Sequence, residues 1–81
     1  MQTVIVTAER HEKYTMLKVD EVSIAEIYEN RKFKGKYIGW VYGFGGNDGN
    51  CTNYSLPEAL EYVSYVIEVR FKRLGLNVEF K

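Results

Sequence analysis

Apolar residues recur at spacings of three and four in the last third of the chain, which is the period of an α-helix. Ser55 and Glu58 precede this stretch at the spacing of a capping box. Gly75 follows it and is a typical helix stop. The pattern predicts one long helix over about residues 56–74. Its predicted core face consists of Leu56, Leu60, Val63, Ile67, Phe71 and Leu74.

Other parts of the chain alternate between apolar and polar residues or are rich in β-branched residues, as strands are. Residues 37–44 are the clearest strand. Their alternation places four large side chains on one face: Ile38, Trp40, Tyr42 and Phe44. Shorter strands are predicted over residues 3–8, 14–19 and 76–80.

Residues 22–34 fit two interpretations. The strand interpretation rests on Val22, Ile24 and Ile27. The helix interpretation rests on the capping-box spacing of Ser23 and Glu26. We prefer the strand because residues 37–44 need a pairing partner, but the sequence leaves both interpretations open.

These elements predict an α+β domain in which an antiparallel sheet of four to five strands packs against one long C-terminal helix, with a single layer of helix on sheet. The chain has 81 residues, 46% of them apolar, and a net charge of zero, which excludes a disordered chain. Residues 1–81 contain no linker or repeat, so we expect one domain. No apolar run approaches the roughly 20 residues needed to span a bilayer. A single Cys and no visible secretory signal lead us to expect a cytoplasmic protein.

Candidate catalytic and metal-binding residues are few. His11 and Cys51 are the only residues of their types, and a Cys–His dyad would need them adjacent in space. One His, one Cys and two Asp form no metal constellation, so no metal or cofactor is expected. The Gly- and Asn-rich residues 43–50 lie where phosphate loops occur, but Asp48 stands where G-x-G-x-x-G requires its last glycine. We therefore expect that the protein is not an enzyme. We expect the loop at 43–50 to be a plain connection between two elements.

A second apolar stripe runs along the predicted helix, away from its core face. It consists of Tyr62, Tyr65, Val66 and Val69. One helix on one sheet buries a single stripe, so a second stripe indicates a partner surface, and Tyr is frequent in such surfaces. In the alternative interpretation, Tyr62 and Val66 widen the core face and Tyr65 lies in solvent.

A second candidate site interleaves basic and aromatic residues, as proteins that bind single-stranded nucleic acid do. Its members are Arg31, Lys32, Phe33, Lys34, Lys36, Tyr37 and Trp40. The zero net charge argues against this function, because nucleic-acid-binding domains are usually basic. Four acidic residues just upstream also argue against this function, because their charge offsets that of the basic residues: Asp20, Glu21, Glu26 and Glu29.

The sequence thus predicts a non-enzymatic protein-binding module that acts through an exposed helix face, on a heterologous partner or on a second copy as a homodimer. Small domains without a chemical motif are typical of phage and mobile-element proteins, so we expect an inhibitor or modulator of a host protein. Single-stranded nucleic acid binding is the alternative function. No membrane partner is expected.

Overall fold

A computed structural model describes residues 2–42 and 51–81 and shows one sheet with a helix across one of its faces. In chain order the elements are β1 (Thr3–Arg10), β2 (Tyr14–Val19), β3 (Val22–Glu29), β4 (Tyr37–Val41), β5 (Cys51–Tyr54), α1 (Leu56–Arg73) and β6 (Asn77–Phe80). The predicted α+β architecture with a single helix layer is confirmed. The helix packs against β3, β4, β5 and β6.

The predicted sheet of four to five antiparallel strands differs from the observed one by one strand and one pairing, because the sheet has six strands in the order β5-β4-β3-β2-β1-β6 and all its pairings except that of β1 with β6 are antiparallel. β1 pairs with β2 over its second half, Thr7 to Arg10, and its first half pairs with β6 along its other edge. That pairing is parallel and joins Thr3–Val6 to Asn77–Phe80. The additional strand β5 lies within a segment whose Gly and Asn content predicts a loop.

The ambiguous segment is a strand as far as Glu29 and then a turn. Ala25 and Ile27 are buried at alternate positions, which is the period of a strand. The Ser23 hydroxyl donates to the Ala25 carbonyl instead of capping a helix. Asp20 and Glu21, with φ values of 48° and 69°, make the tight connection that pairs β3 with β2. Pairing with two neighbouring strands therefore outweighs the local helix signal.

The turn between β3 and β4 is closed by hydrogen bonds from residues at its base. The backbone amide of Asn30 donates to the backbone carbonyl of Lys36 at 2.7 Å. The Gly35 amide donates to a Glu29 carboxylate oxygen at 2.8 Å. Gly35 has a φ of 80°, a backbone conformation that residues with a Cβ rarely adopt. The turn thereby holds the basic residues 31–36 beyond the end of the sheet.

The helix begins as predicted. Both halves of the capping box form between Ser55 and Glu58. The helix ends at Arg73 with Leu74 as its C-cap, and Leu74 is 67% exposed, so its predicted place in the core face is wrong. The chain turns away at Gly75, whose φ is 80°, and this leaves Leu74 beyond the last packed turn.

The core lies between α1 and the face of the sheet that α1 covers. Its buried side chains are Val6, Leu17, Ala25, Ile27, Val41, Cys51, Ala59, Val63 and Ile67. The predicted core residues Leu56, Leu60 and Phe71 pack against this cluster from its margin. No polar or charged residue is buried among the described residues. Within the same residues, no helix has both the length and the apolar character that crossing a membrane requires.

Strand β4 approaches the helix most closely at Gly39. A Cβ at this position would lie 2.9 Å from Val63 Cγ2 and 3.3 Å from Cys51 Sγ. We expect Gly39→Ala to destabilise the fold by about 1–3 kcal/mol, because a well-packed core does not absorb an added methyl group. Urea unfolding followed by Trp40 fluorescence measures this change.

The double variant Gly39→Ala/Val63→Ala provides the control, because the second change removes the atom that the new methyl group meets. Its loss of unfolding free energy should be smaller than the sum of the two single losses. Simple additivity would show that the contact between Gly39 and Val63 does not limit the approach of the helix.

Candidate functional site

The predicted helix stripe is only partly on the surface. Tyr62 and Val66 pack against the core and Val69 is half-buried, whereas Tyr65 is 65% exposed. The helix therefore does not present these four residues as one exposed stripe.

Tyr62 and Tyr65 instead line an open groove of about 740 Å³ beside the helix. The rings of Tyr54 and Tyr62 stand nearly perpendicular, with their centroids 5.9 Å apart and an angle of 85° between their planes. We call this site the tyrosine groove. Its lining residues are Tyr54, Glu58, Glu61, Tyr62, Ser64, Tyr65, Glu68 and Phe80.

The charged residues that line the tyrosine groove are all acidic. The Glu58 carboxylate accepts one hydrogen bond from the Ser55 backbone amide. Hydrogen bonding with the Ser55 side chain is the main cause of its lowered pKa, followed by the bond with the Ser55 backbone. The Glu68 carboxylate lies 2.9 Å from the Lys72 ammonium at one end of the groove. Aromatic faces beside carboxylates attract ammonium and guanidinium groups. The groove is therefore suited to Lys or Arg side chains.

The basic and aromatic candidate site is divided between different surfaces. Arg31, Lys32, Lys34 and Lys36 are exposed around the turn, together with Phe33, which is 55% exposed. Tyr37 packs against the core on the helix side of β4. Trp40 points to the opposite face, because side chains three residues apart in a strand lie on opposite sides.

A larger aromatic surface lies on the face of the sheet that faces away from α1. Cross-strand pairing aligns Met16, Glu26 and Trp40 on neighbouring strands, and likewise Tyr14, Tyr28 and Ile38. We call this surface the open face. It also carries Ile5, Glu9, Lys18 and Tyr42.

The sequence signal for the open face is the alternation of Ile38, Trp40 and Tyr42 in residues 37–44. Alternation groups these residues on one face but does not say which face a helix covers. Gly39 lies on the helix side of β4, where a Cβ would lie 2.9 Å from Val63 Cγ2, so the helix approaches the face that carries this glycine. Phe44, the fourth member of the predicted set, lies outside the described residues, as do the other residues of the loop at 43–50.

Lys18 and Tyr42 on the open face are paired with carboxylates of the chain. The Lys18 ammonium lies 3.6 Å from Glu9 and 3.4 Å from Glu21. The Tyr42 hydroxyl donates to one carboxylate oxygen of Glu26. Burial, followed by this hydrogen bond, raises the pKa of Tyr42.

His11 and Cys51 are not brought together. His11 lies in the turn after β1, stacked on Tyr14 with ring centroids 4.5 Å apart, and its Nε2 is 2.9 Å from Glu9. Cys51 is buried in β5, and β2, β3 and β4 lie between it and the turn that holds His11. Among residues 2–42 and 51–81, no three His, Cys, Asp or Glu side chains are grouped so that they could hold a metal ion.

The capping box makes stability depend on the charge of Glu58. Its pKa is lowered in the folded chain, so its contribution is present above the ordinary pKa and is lost as the pH falls through the folded value. We expect Glu58→Gln to lower the urea midpoint at pH 7, with a smaller difference from wild type at pH 3 than at pH 7. Glu61→Gln, which lies outside the capping box, is the control. An equal loss at both pH values would contradict the prediction.

The Cys51 thiol should be unreactive in the folded chain. Burial raises its pKa, and the thiolate is the reactive form. We expect labelling by a thiol reagent at pH 8 to be at least about tenfold slower than for a free thiol, and to become rapid in denaturant. A Thr52→Cys change in a Cys51→Ser chain gives an exposed control one residue along β5. Equal labelling rates for the two chains would show that Cys51 is accessible.

Comparison of the chain with protein-family models, with curated proteins and with solved structures finds no match.

Proposed function

We propose that the chain is a non-enzymatic protein-binding module whose tyrosine groove takes a basic segment of another protein. The observation that carries this proposal is the exposed Tyr65 beside the perpendicular rings of Tyr54 and Tyr62. Small domains of this kind are also expected to modulate host proteins. The proposed partner is therefore a host protein with an exposed basic segment.

The chemistry of tyrosine supports a protein partner. A tyrosine ring offers a large, rigid contact area and a hydroxyl at its tip, and such residues provide much of the binding energy in protein interfaces. Tyr65 has little contact with the rest of the chain, since 65% of its surface is exposed. Phe80 adds a further aromatic contact to the groove.

The charge of the groove supports a basic segment. Glu58, Glu61 and Glu68 line it. Lys72 pairs with Glu68, and the charge of Lys36 contributes to the lowered pKa of Glu58. Such a surface attracts Lys and Arg side chains and repels phosphates, so nucleic acid is disfavoured there. The alternative function, nucleic acid binding around Arg31 to Lys36, has Phe33 as its nearby exposed aromatic residue.

Nuclear magnetic resonance titrations distinguish these functions. The probes are a dodecapeptide of alternating Arg and Gly, its counterpart with Glu in place of Arg, and a thymidine dodecanucleotide. We expect the Arg peptide to shift amide signals of residues around the tyrosine groove, with an affinity that falls as salt is added. The Glu peptide should leave these signals unchanged.

Single substitutions test the groove directly. Tyr65→Ala and Glu61→Lys should each weaken binding of the Arg peptide at least about fivefold, because one removes an aromatic contact and the other reverses a charge. Phe33→Ala, which removes an exposed ring elsewhere, is the matched control and should have no effect. Shifts around Arg31 to Lys36 on addition of the oligonucleotide, with none in the groove on addition of peptide, would favour the alternative function.

A further inference from the structure

The open face is a large aromatic surface that no described element covers. Trp40 and Ile5 are each 44% exposed, and Tyr14 and Tyr42 have slightly lower exposed fractions. Met16, Tyr28 and Ile38 fill the spaces between them and are half-buried. Monomeric proteins rarely leave a contiguous apolar surface of this kind in water, so it indicates an interface.

We propose that the open face binds a second copy of this chain, related by a two-fold axis, so that two sheets pack face to face with the helices outside. This interface is separate from the tyrosine groove, which lies on the helix side of the sheet. The proposal therefore does not depend on the proposed function.

The charges near the centre of the open face fit a second copy. Lys18 follows Met16 by two residues on β2, and Met16 pairs across the strands with Glu26. A cation and an anion thus lie on neighbouring strands of the same face, on either side of the register shift between Leu17 and Lys18. A two-fold axis between them brings Lys18 of each copy to Glu26 of the other. This arrangement satisfies the requirement of a symmetric interface that each contact occurs twice.

Both groups retain hydrogen-bonding capacity for this contact. A lysine ammonium has three donors, and Lys18 donates one hydrogen bond, to Glu21, while its ion pair with Glu9 is longer at 3.6 Å. Tyr42 donates to one oxygen of Glu26 and leaves the other oxygen available. Dimer formation would therefore bury no unpaired charge at these positions, which is the main cost of burying polar groups in an interface.

The size of the face is sufficient for a specific but weak dimer. Six strands spaced by about 4.8 Å span about 24 Å along the sheet, and strands of four to eight residues are about 13–26 Å long. Two such faces together bury roughly 1,000 Å², which is near the lower limit for specific interfaces. We therefore expect dissociation constants in the micromolar range.

Sedimentation velocity of the wild-type chain from about 5 to about 500 µM tests for the dimer. Trp40 fluorescence, followed over the same range, reports on the face, because the only Trp of the chain lies in it. We expect a dimer that dissociates on dilution, with Trp40 emission shifting to the red in parallel. A monomer at every concentration, or emission that does not follow dissociation, would overturn the proposal.

A charge exchange tests the pairing itself. Glu26→Lys alone and Lys18→Glu alone should each weaken self-association at least about tenfold, because like charges then meet across the axis. An equimolar mixture of the two variants should form a heterodimer, because both contacts are again between opposite charges. Tyr65→Lys, on the helix side, should dimerise as the wild type does.

The outcomes separate the faces of the molecule. A dimer unaffected by Glu26→Lys but lost with Tyr65→Lys would place self-association on the helix and overturn the proposal. Failure of the two charge variants to form a heterodimer, with circular dichroism showing both folded, would also overturn it. If either variant does not fold, the dilution series of wild-type Trp40 fluorescence remains decisive.

Discussion

The contact between Gly39 on β4 and Val63 on α1 is the constraint on which the rest of the structure depends. A Cβ on Gly39 would lie 2.9 Å from Val63 Cγ2, so the helix sits as close to the sheet as a backbone without a side chain allows. This contact determines which face of the sheet receives the helix. It also sets the helix where Tyr62 meets Tyr54 and forms one wall of the tyrosine groove. The other face of β4, which carries Trp40, is left without a helix.

The close approach of helix and sheet also determines which residues can be buried. The buried side chains are aliphatic apart from Cys51, and no described aromatic side chain is among them. A thin core leaves no room for rings, so Tyr, Trp and Phe lie at its margin or on the surface. The high aromatic fraction of 15% therefore contributes to surfaces more than to the core. This is why a domain this small can present two separate aromatic surfaces.

The sequence predicts an element best where its local pattern fits only one type of secondary structure. Ser55 and Glu58 mark the start of the helix correctly, because a capping box needs only its own four residues. β3 is ambiguous because helical and strand periods both fit it, and pairing with its neighbours decides. The parallel pairing of β6 depends on where the helix returns the chain, which no local pattern encodes.

The candidate surfaces show the same division between local and tertiary information. The separation of Tyr37 from Trp40 follows from strand alternation alone, because an odd spacing puts two side chains on opposite faces. The burial of Tyr62 and Val66 depends on how far the sheet extends on either side of the helix, which the helix sequence does not contain. Tyr65 could be placed correctly because it lies farther around the helix from the core face.

The two aromatic surfaces differ in chemistry, and this difference gives each a distinct use. The tyrosine groove is open and lined by glutamates, so it attracts a partner of opposite charge. The open face combines Lys18 and Glu26 with aromatic rows, which is the basis for proposing that it binds a second copy. A dimer formed through the open face would direct its two grooves outward on opposite sides. Two basic segments held on one partner assembly would then bind together more tightly than either alone, without any new contact in the groove.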